Sequence, residues 1–188
     1  MNKIILTLTA VMTLSFAAYA QNKGEKSMQA ENKLLVVYFS ATGTTAKVAR
    51  TIADVTGGTL YEIVPQQAYT SKDLDWNDRQ SRSSVEMNNP QARPALKDTK
   101  LDVTTYDVIF IGYPIWWDQA PRIINTFIES HDLKGKTLVP FATSGGSGIS
   151  NSVKELRKAY PNLEWQDGKL LNRVSRNAVQ NWVNDIVK

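Results

Sequence analysis

The chain has 188 residues, with 22 Lys and Arg against 18 Asp and Glu, one His and no Cys. This length favours one domain with a sizeable core, while the lack of Cys excludes disulfides, iron–sulfur clusters and cysteine nucleophiles, and a single His excludes a multi-histidine metal site. The formal net charge of +4 is too small and too evenly spread to predict a nucleic-acid partner.

Residues 1–20 have the pattern of a secretory signal peptide. Lys3 precedes an apolar run from Ile4 to Phe16, and the segment ends in Ala-Tyr-Ala at Ala20. Such an ending predicts cleavage after Ala20. An uncleaved membrane anchor is the less favoured alternative, because the apolar run is shorter than the ~20 residues that span a bilayer. We therefore expect an exported protein, periplasmic or secreted, with no stable membrane insertion after cleavage.

Strands and helices alternate along the rest of the chain, after a polar segment at 21–32 that predicts a flexible linker. Continuous apolar runs predict buried strands at 34–39, 59–64, 108–111, 137–142 and, less regularly, 163–171. Apolar residues at helical spacing predict helices at 45–55, after Pro121, at 150–160 and after a Ser175 cap. This alternation predicts one α/β domain at 33–188, in which a parallel sheet is covered by helices on both faces.

The stretch at 65–105 is longer than one strand–helix–strand crossing requires. We predict a covering helix within 71–86 and an irregular segment at 88–98. Two interpretations remain open: a surface excursion that packs its few apolar residues on the sheet, which is favoured, and a functional loop beside a ligand crevice. The residues that could shape a substrate pocket in such a loop are Tyr69, Trp76 and Arg93.

Ligands of parallel α/β sheets bind at the carboxyl ends of the strands, so the loops after the first, third and fourth strands are the candidates. The first loop, 40–45, has the sequence Ser-Ala-Thr-Gly-Thr-Thr and leads directly into a helix. Backbone N–H groups at a helix N-terminus, together with hydroxyl side chains, form an anion cradle. The loop has no Lys or Arg, and Gly43 is its only glycine, which excludes the Walker A and G-x-G-x-x-G motifs. A phosphate monoester is the favoured ligand, and a simple capping turn is the alternative.

The second loop, 112–120, contains the adjacent indoles of Trp116 and Trp117. Two neighbouring side chains cannot both point the same way from an extended loop, so at least one should lie at the surface. A surface indole is unfavourable unless it covers something, and a planar aromatic ligand would bury it by stacking. The alternative is that both indoles pack against the following helix.

The third loop, 143–148, has three glycines in four positions, Gly145, Gly146 and Gly148. Glycine lets the backbone approach a ligand closely and direct N–H groups at it, although a flexible connector would have the same composition. The three loops together offer a phosphate cradle, an aromatic plate and a hydrogen-bonding edge. These are the requirements of flavin mononucleotide (FMN).

The motifs S-x-T-G-T-T and Y-P-I-W-W, in this order and context, make the chain similar to flavodoxins from about residue 33 to residue 188. The resemblance implies a flavodoxin-like, five-stranded parallel sheet in the order 2-1-3-4-5, with FMN across the strand ends. It implies that the first loop holds the phosphate, that Trp116 or Trp117 stacks on the isoalloxazine ring, and that the third loop faces its pyrimidine edge. The residues implied to bind FMN are Ser40, Ala41, Thr42, Gly43, Thr44, Thr45, Pro114, Ile115, Trp116, Trp117, Thr143, Ser144, Gly145 and Gly146.

Three features depart from the flavodoxin pattern. Removal of residues 1–20, which contain one Lys and no acidic residue, leaves 21 basic against 18 acidic residues and a charge of +3, whereas many flavodoxins are acidic. No glycine occurs from Tyr113 to Pro121, where many flavodoxins have one near the flavin N5. The export signal lacks a twin-arginine pair, so we expect FMN to be acquired outside the cytoplasm. These departures leave the redox partner open.

The favoured function is non-covalent FMN binding and electron transfer by an exported carrier that docks with other redox proteins. The alternative is a reductase that takes hydride from NAD(P)H and reduces a quinone or a similar small acceptor. A third possibility is a binding module without flavin. We expect no catalytic side chain and no metal site; His131 follows a helix and is interpreted as a surface residue at the helix end.

Overall fold

The computed structural model describes residues 33–172 and 175–186. The predicted signal peptide and linker lie outside the described residues. Within the part that is described, none of the helices is long and apolar enough to span a bilayer.

The described helices and strands alternate as the sequence predicts. Their bounds are β1 Leu34–Tyr38, α1 Thr44–Thr56, β2 Thr59–Glu62, α2 Arg82–Asn88, β3 Val108–Pro114, α3 Arg122–Glu129, β4 Thr137–Thr143, α4 Ser150–Ala159, β5 Glu164–Trp165, β6 Lys169–Leu170 and α5 Arg176–Ile186. All strand pairs are parallel, in the order β2-β1-β3-β4-β5, and β6 also pairs with β4. The predicted α/β fold and the order 2-1-3-4-5 are confirmed.

Helices cover both faces of the sheet, which explains why the central strands are apolar on both faces. All residues of β3 except the last are buried. Successive residues of a strand point to opposite faces. Leu35 and Ile109 belong to the hydrophobic cluster that includes α3 residues. Val36 and Phe110 belong to the cluster that includes residues of α1 and α5. This packing gives the loops at the strand ends a rigid support.

The fifth strand is interrupted, as its irregular sequence predicts, and Pro140 on β4 provides the reason. The carbonyl oxygen of Leu138 accepts a hydrogen bond from the Gln166 amide at 2.8 Å. The carbonyl oxygen of Ala142 accepts one from the Leu171 amide, also at 2.8 Å. Pro140 lies midway between these two positions on the same edge of β4 and has no N–H to donate. A continuous ladder therefore cannot form opposite Pro140, and β5 and β6 are separate short strands.

The structure has a helix in the 65–105 segment, as predicted, but changes its bounds. The covering helix α2 begins only at Arg82, and residues 70–81 form turns instead. The Asp73 carboxylate accepts hydrogen bonds from the Thr70 amide and hydroxyl, at 2.8 and 2.7 Å. Side-chain hydrogen bonds of this kind compete with helical hydrogen bonding, which explains the later start of the helix.

Several apolar residues of the same segment are buried, including Met87 and Val103, as the favoured interpretation predicts, but two large ones are not. Tyr69 and Leu96 contact the hydrophobic core, but Trp76 and Val85 are 73% and 54% exposed. A large exposed indole is unfavourable in a segment whose only role is to cover the sheet. Trp76 is therefore a candidate for contact with another molecule.

The close approach of β3 and β4 yields a stability prediction at Gly112. A Cβ atom added there would overlap the ring of Phe141, which is fully buried and has no space to move aside. We expect Gly112→Ala to lower the free energy of unfolding by about 1–3 kcal/mol, the usual cost of overpacking a core, as measured by denaturant titration. Gly148→Ala is the matched control, since that position is surrounded by open space. Equal stability of the two variants would contradict this packing.

Candidate functional site

The carboxyl ends of β1, β3 and β4 open into a cleft of about 1330 Å³, here named the strand-end cleft. Every residue that the resemblance implied to bind FMN lines this cleft, except Gly43. The further lining residues are Leu74, Trp76, Ser83, Ser147, Leu170 and Asn172. The topology therefore brings three loops that are distant in sequence to one site, while their binding of FMN stays a prediction.

The strand-end cleft has both apolar and polar walls but no charged side chain among its described lining residues. No Asp, Glu, Lys, Arg or His is among the described residues that line it. Its polar side chains are hydroxyls and one carboxamide, which form hydrogen bonds without carrying a charge. Such walls offer no side chain for proton transfer near neutral pH. Chemistry at this site therefore depends on what is bound there.

The first loop forms an anion cradle at the start of α1. Gly43 caps the helix with a φ of 85°, a left-handed conformation that L side chains rarely adopt. No described side chain caps the first turn, so the leading N–H groups of the helix are available to a ligand. The hydroxyls of Thr45 and Thr143 share a hydrogen bond of 2.8 Å, which joins the first loop to the third.

One hydroxyl of the first loop lacks a partner. The Oγ atom of Ser40 is buried and makes no hydrogen bond with any described residue. A buried polar atom without a partner is unfavourable, and Ser40 lies in the wall of the strand-end cleft. An anionic oxygen in the cradle would accept its hydrogen bond. The first loop therefore fits a phosphate group held by neutral donors.

The second loop contains a tight turn. The prediction for Trp116 and Trp117 assumed an extended loop, and that assumption is wrong. The Trp116 amide donates to the Gln119 carbonyl and the Gln119 amide to the Trp116 carbonyl, both at 3.0 Å. The two central residues, Trp117 and Asp118, have φ angles of 46° and 61°, the signs that a type I′ turn requires. A left-handed residue other than glycine is strained by about 1–3 kcal/mol, and such strain is concentrated at functional sites.

The two indoles of this turn have different surroundings. Trp116 is half-buried, and its ring lies edge-on to those of Phe39 and Tyr69, with centroid distances of 5.6 and 5.3 Å. Trp117 is 42% exposed and lines the strand-end cleft. The expectation that at least one indole lies at the surface is confirmed, and that indole is Trp117.

Tyr69 supports Trp116 and does not line the strand-end cleft. Its hydroxyl donates to the Glu86 carboxylate, and the Arg82 guanidinium lies 3.9 Å from the centroid of its ring. Burial, and then the hydrogen bond to Glu86, raises the pKa of Tyr69 above its ordinary value. The phenol therefore stays neutral and keeps its role as a hydrogen-bond donor.

Asn172 holds the third loop through both backbone hydrogen-bonding groups of Ser144. The Ser144 amide donates to Oδ1 of Asn172, and Nδ2 of Asn172 donates to the Ser144 carbonyl, both at 2.7 Å. The Gly146 amide in turn donates to the Ser144 hydroxyl at 3.1 Å. Asn172 was not predicted, although its position just after β6, at the carboxyl edge of the sheet, is a signal for the site.

Most of the other residues singled out in the sequence lie outside the strand-end cleft. Of Tyr69, Trp76 and Arg93, only Trp76 lines the strand-end cleft. His131 lies just after α3 and outside this cleft, where its Nδ1–H donates to the Phe127 carbonyl at 2.9 Å. It is half-buried against the Phe127 ring, so the predicted surface position is only partly right. Within residues 33–172 and 175–186, no group of three His, Cys, Asp or Glu side chains could hold a metal ion.

Comparisons with solved structures find close relatives. A proposed flavoprotein from Bacteroides eggerthii is 62% identical, with a TM-score of 0.81 over 84% of this chain and 99% of that chain. One from Bacteroides uniformis is 56% identical, with a TM-score of 0.80 over 81% of this chain and 98% of that chain. A Lactobacillus acidophilus flavoprotein in complex with FMN shares the fold at 22% identity, with a TM-score of 0.61 over 81% and 99% of the two chains.

No curated protein gives a significant match to this sequence. The flavodoxin family model matches residues 33–186, which include all the described helices and strands. This chain is therefore a member of the flavodoxin family.

Proposed function

We propose that this protein is an exported, FMN-binding electron carrier. The observation that carries the proposal is the buried, unpartnered hydroxyl of Ser40 in a loop of neutral donors that leads into a helix. FMN has one phosphate monoester, the group that such a loop fits. Export rests on the secretory pattern of residues 1–20.

The strand-end cleft offers a partner for each part of FMN. The first loop and the leading N–H groups of α1 receive the phosphate, and the backbone of the third loop, which Asn172 holds, receives the pyrimidine edge. Trp117 is the indole that stacks on the isoalloxazine ring, because Trp116 already packs on two other aromatic rings. Bound FMN supplies reversible electron transfer, which the side chains of this cleft do not.

The charge of the cleft favours a carrier over an NAD(P)H-dependent reductase. No Lys or Arg is among its described lining residues, so a nicotinamide dinucleotide would find no cation for its phosphates. The single anion cradle of the cleft is taken by the FMN phosphate. Bound FMN would supply the electron exchange with other redox proteins.

The electron donor is the first thing to test. We expect the purified protein, loaded with FMN and kept anaerobic, to retain the spectrum of oxidised flavin after NADPH is added. Dithionite is the positive control and should bleach the bound flavin. Rapid bleaching by NADPH would assign the reductase instead, and a protein that binds no FMN would contradict the flavin assignment itself.

Removal of the unpartnered Ser40 hydroxyl should lower the affinity for FMN without lowering the stability of the protein. We expect Ser40→Ala to leave the free energy of unfolding of the FMN-free protein unchanged or slightly higher, because the hydroxyl has no hydrogen bond to lose. Its affinity for FMN should fall about tenfold or more, since a hydrogen bond to a charged group contributes ~1.5–3 kcal/mol.

Fluorescence titration of FMN measures this affinity, and Ser150→Ala, at an exposed position outside the cleft, is the matched control. Equal FMN affinity of Ser40→Ala and the unmodified protein would refute the phosphate cradle.

One observation favours the reductase as a second candidate. Trp76 is 73% exposed, Trp117 is 42% exposed, and both line the strand-end cleft. The turns that carry Trp76 are anchored, because the Ser83 amide donates to the Asp73 carbonyl at 3.0 Å. Two indoles at the mouth of a flavin site could stack on a planar acceptor such as a quinone. In a carrier, the same indoles would contact the partner protein.

The variant Trp76→Ala distinguishes these two candidates without disturbing the fold, because the side chain is largely exposed. For a carrier, we expect reoxidation of the reduced flavin by a soluble naphthoquinone to keep its rate within about twofold. Val85→Ala, an exposed position outside the cleft, is the control. A rate that falls about tenfold, as loss of an aromatic stacking contact of ~1–1.5 kcal/mol would produce, would favour the reductase.

A further inference from the structure

A second cavity, of about 560 Å³, lies between α3, α4 and the C-terminal end of α2 with the residues that follow it, and is here named the α3–α4 cavity. It shares no described lining residue with the strand-end cleft. In contrast to that cleft, its wall includes four charged side chains, those of Arg93, Arg122, Glu129 and Glu155. A ligand of this cavity would therefore be selected by charge.

The guanidinium of Arg122 is buried without a charged partner. The residue is 8% exposed. Its Nη1 donates to Oε1 of Gln119 at 3.1 Å and its Nη2 to the Met87 carbonyl at 2.9 Å, and both acceptors are neutral. Its Nε has no hydrogen-bond partner, and Arg122 forms no ion pair within 4.0 Å among the described residues. Burial, and then the nearby charge of Arg93, lowers the pKa of Arg122. A buried charge of this kind is unfavourable until a counter-charge joins it.

Of the other charged residues of the α3–α4 cavity, Arg93 and Glu129 form an ion pair, and Glu155 forms none among the described residues. Arg93 holds the Glu129 carboxylate through two hydrogen bonds of 2.7 and 2.8 Å, and the Tyr160 hydroxyl donates to the same carboxylate at 2.7 Å. Glu155 is half-buried and is in no ion pair among the described residues. Its charge raises the pKa of Arg122, yet the two groups are more than 4.0 Å apart. One positive and one negative group, Arg122 and Glu155, thus line the cavity without an ion-pair partner among the described residues.

We propose that the α3–α4 cavity binds a small zwitterion of the α-amino-acid class, with its carboxylate on Arg122 and its ammonium group on Glu155. The planar guanidinium presents donors that match a carboxylate. The four charges of the wall sum to zero, so a ligand that is neutral overall but carries one charge of each sign complements them. Inorganic phosphate would instead bring its negative charge close to Glu155.

A single molecule that carries both charges has an advantage over two separate ions. Association costs translational and rotational freedom once for the zwitterion and twice for a carboxylate and an ammonium ion. The two contacts therefore reinforce each other only when one ligand spans them. Simple anions or cations are expected to bind weakly.

Isothermal titration calorimetry tests this proposal, with each of the twenty protein amino acids as a separate probe. We expect at least one of them to bind with a Kd of about 1 mM or lower, equivalent to ~4 kcal/mol. Acetate, methylammonium and inorganic phosphate should bind about tenfold more weakly or not at all. The same result is expected with FMN-loaded and FMN-free protein, because the two sites share no residue. The outcome is thus independent of the flavin assignment.

Modified ligands and one variant then identify the two contacts. The amide of the bound amino acid lacks the carboxylate, its N-acetyl form lacks the ammonium group, and each should bind about tenfold more weakly or worse. Glu155→Gln should weaken binding of the unmodified amino acid similarly, whereas Glu164→Gln, at an exposed position outside the cavity, should not. Failure of all twenty probes, tighter binding of phosphate, or an affinity unchanged by Glu155→Gln would overturn the proposal.

Discussion

Parallel pairing of β1, β3 and β4 is the constraint on which the rest of the molecule depends. Because these strands lie side by side and run the same way, the loops that follow them emerge at one edge of the sheet. Hydrogen bonds of 2.8 Å then join those loops, between the hydroxyls of Thr45 and Thr143 and from the Ile115 amide to the Thr143 carbonyl. The strand-end cleft is therefore a product of the sheet, and no single motif would form it alone.

The turn at 116–119 depends on the packing beneath it. Two consecutive left-handed residues other than glycine persist only where the surroundings hold them. Phe39 and Tyr69 provide that support by packing on Trp116, and Tyr69 is itself held by its hydrogen bond to Glu86. The 65–105 segment, which contains Tyr69, therefore supports the turn at 116–119 and also covers the sheet.

The strand-end cleft and the α3–α4 cavity differ in the kind of ligand they suit. The strand-end cleft has hydroxyls, indoles and backbone amides and no charged side chain among its described lining residues. It suits a cofactor whose charge is confined to one phosphate, and it leaves stacking and hydrogen bonding to tune the bound group. The α3–α4 cavity has an unpaired charge of each sign. The uncharged strand-end cleft and the charged α3–α4 cavity therefore occupy different regions of the fold.

The sequence by itself determined the strands, most of the helices, the strand order through the family resemblance, and the three loops of the cleft. These features depend on local periodicity and on short motifs, as in the predicted Ser175 cap, whose hydroxyl accepts from the Ala178 amide at 3.3 Å. Only the tertiary structure decided where α2 begins, that Trp117 is the exposed indole, that Asn172 holds the third loop and that Arg122 is buried without a counter-charge. Each of these depends on which groups surround a residue in the folded chain, and residues far apart in sequence supply most of those groups.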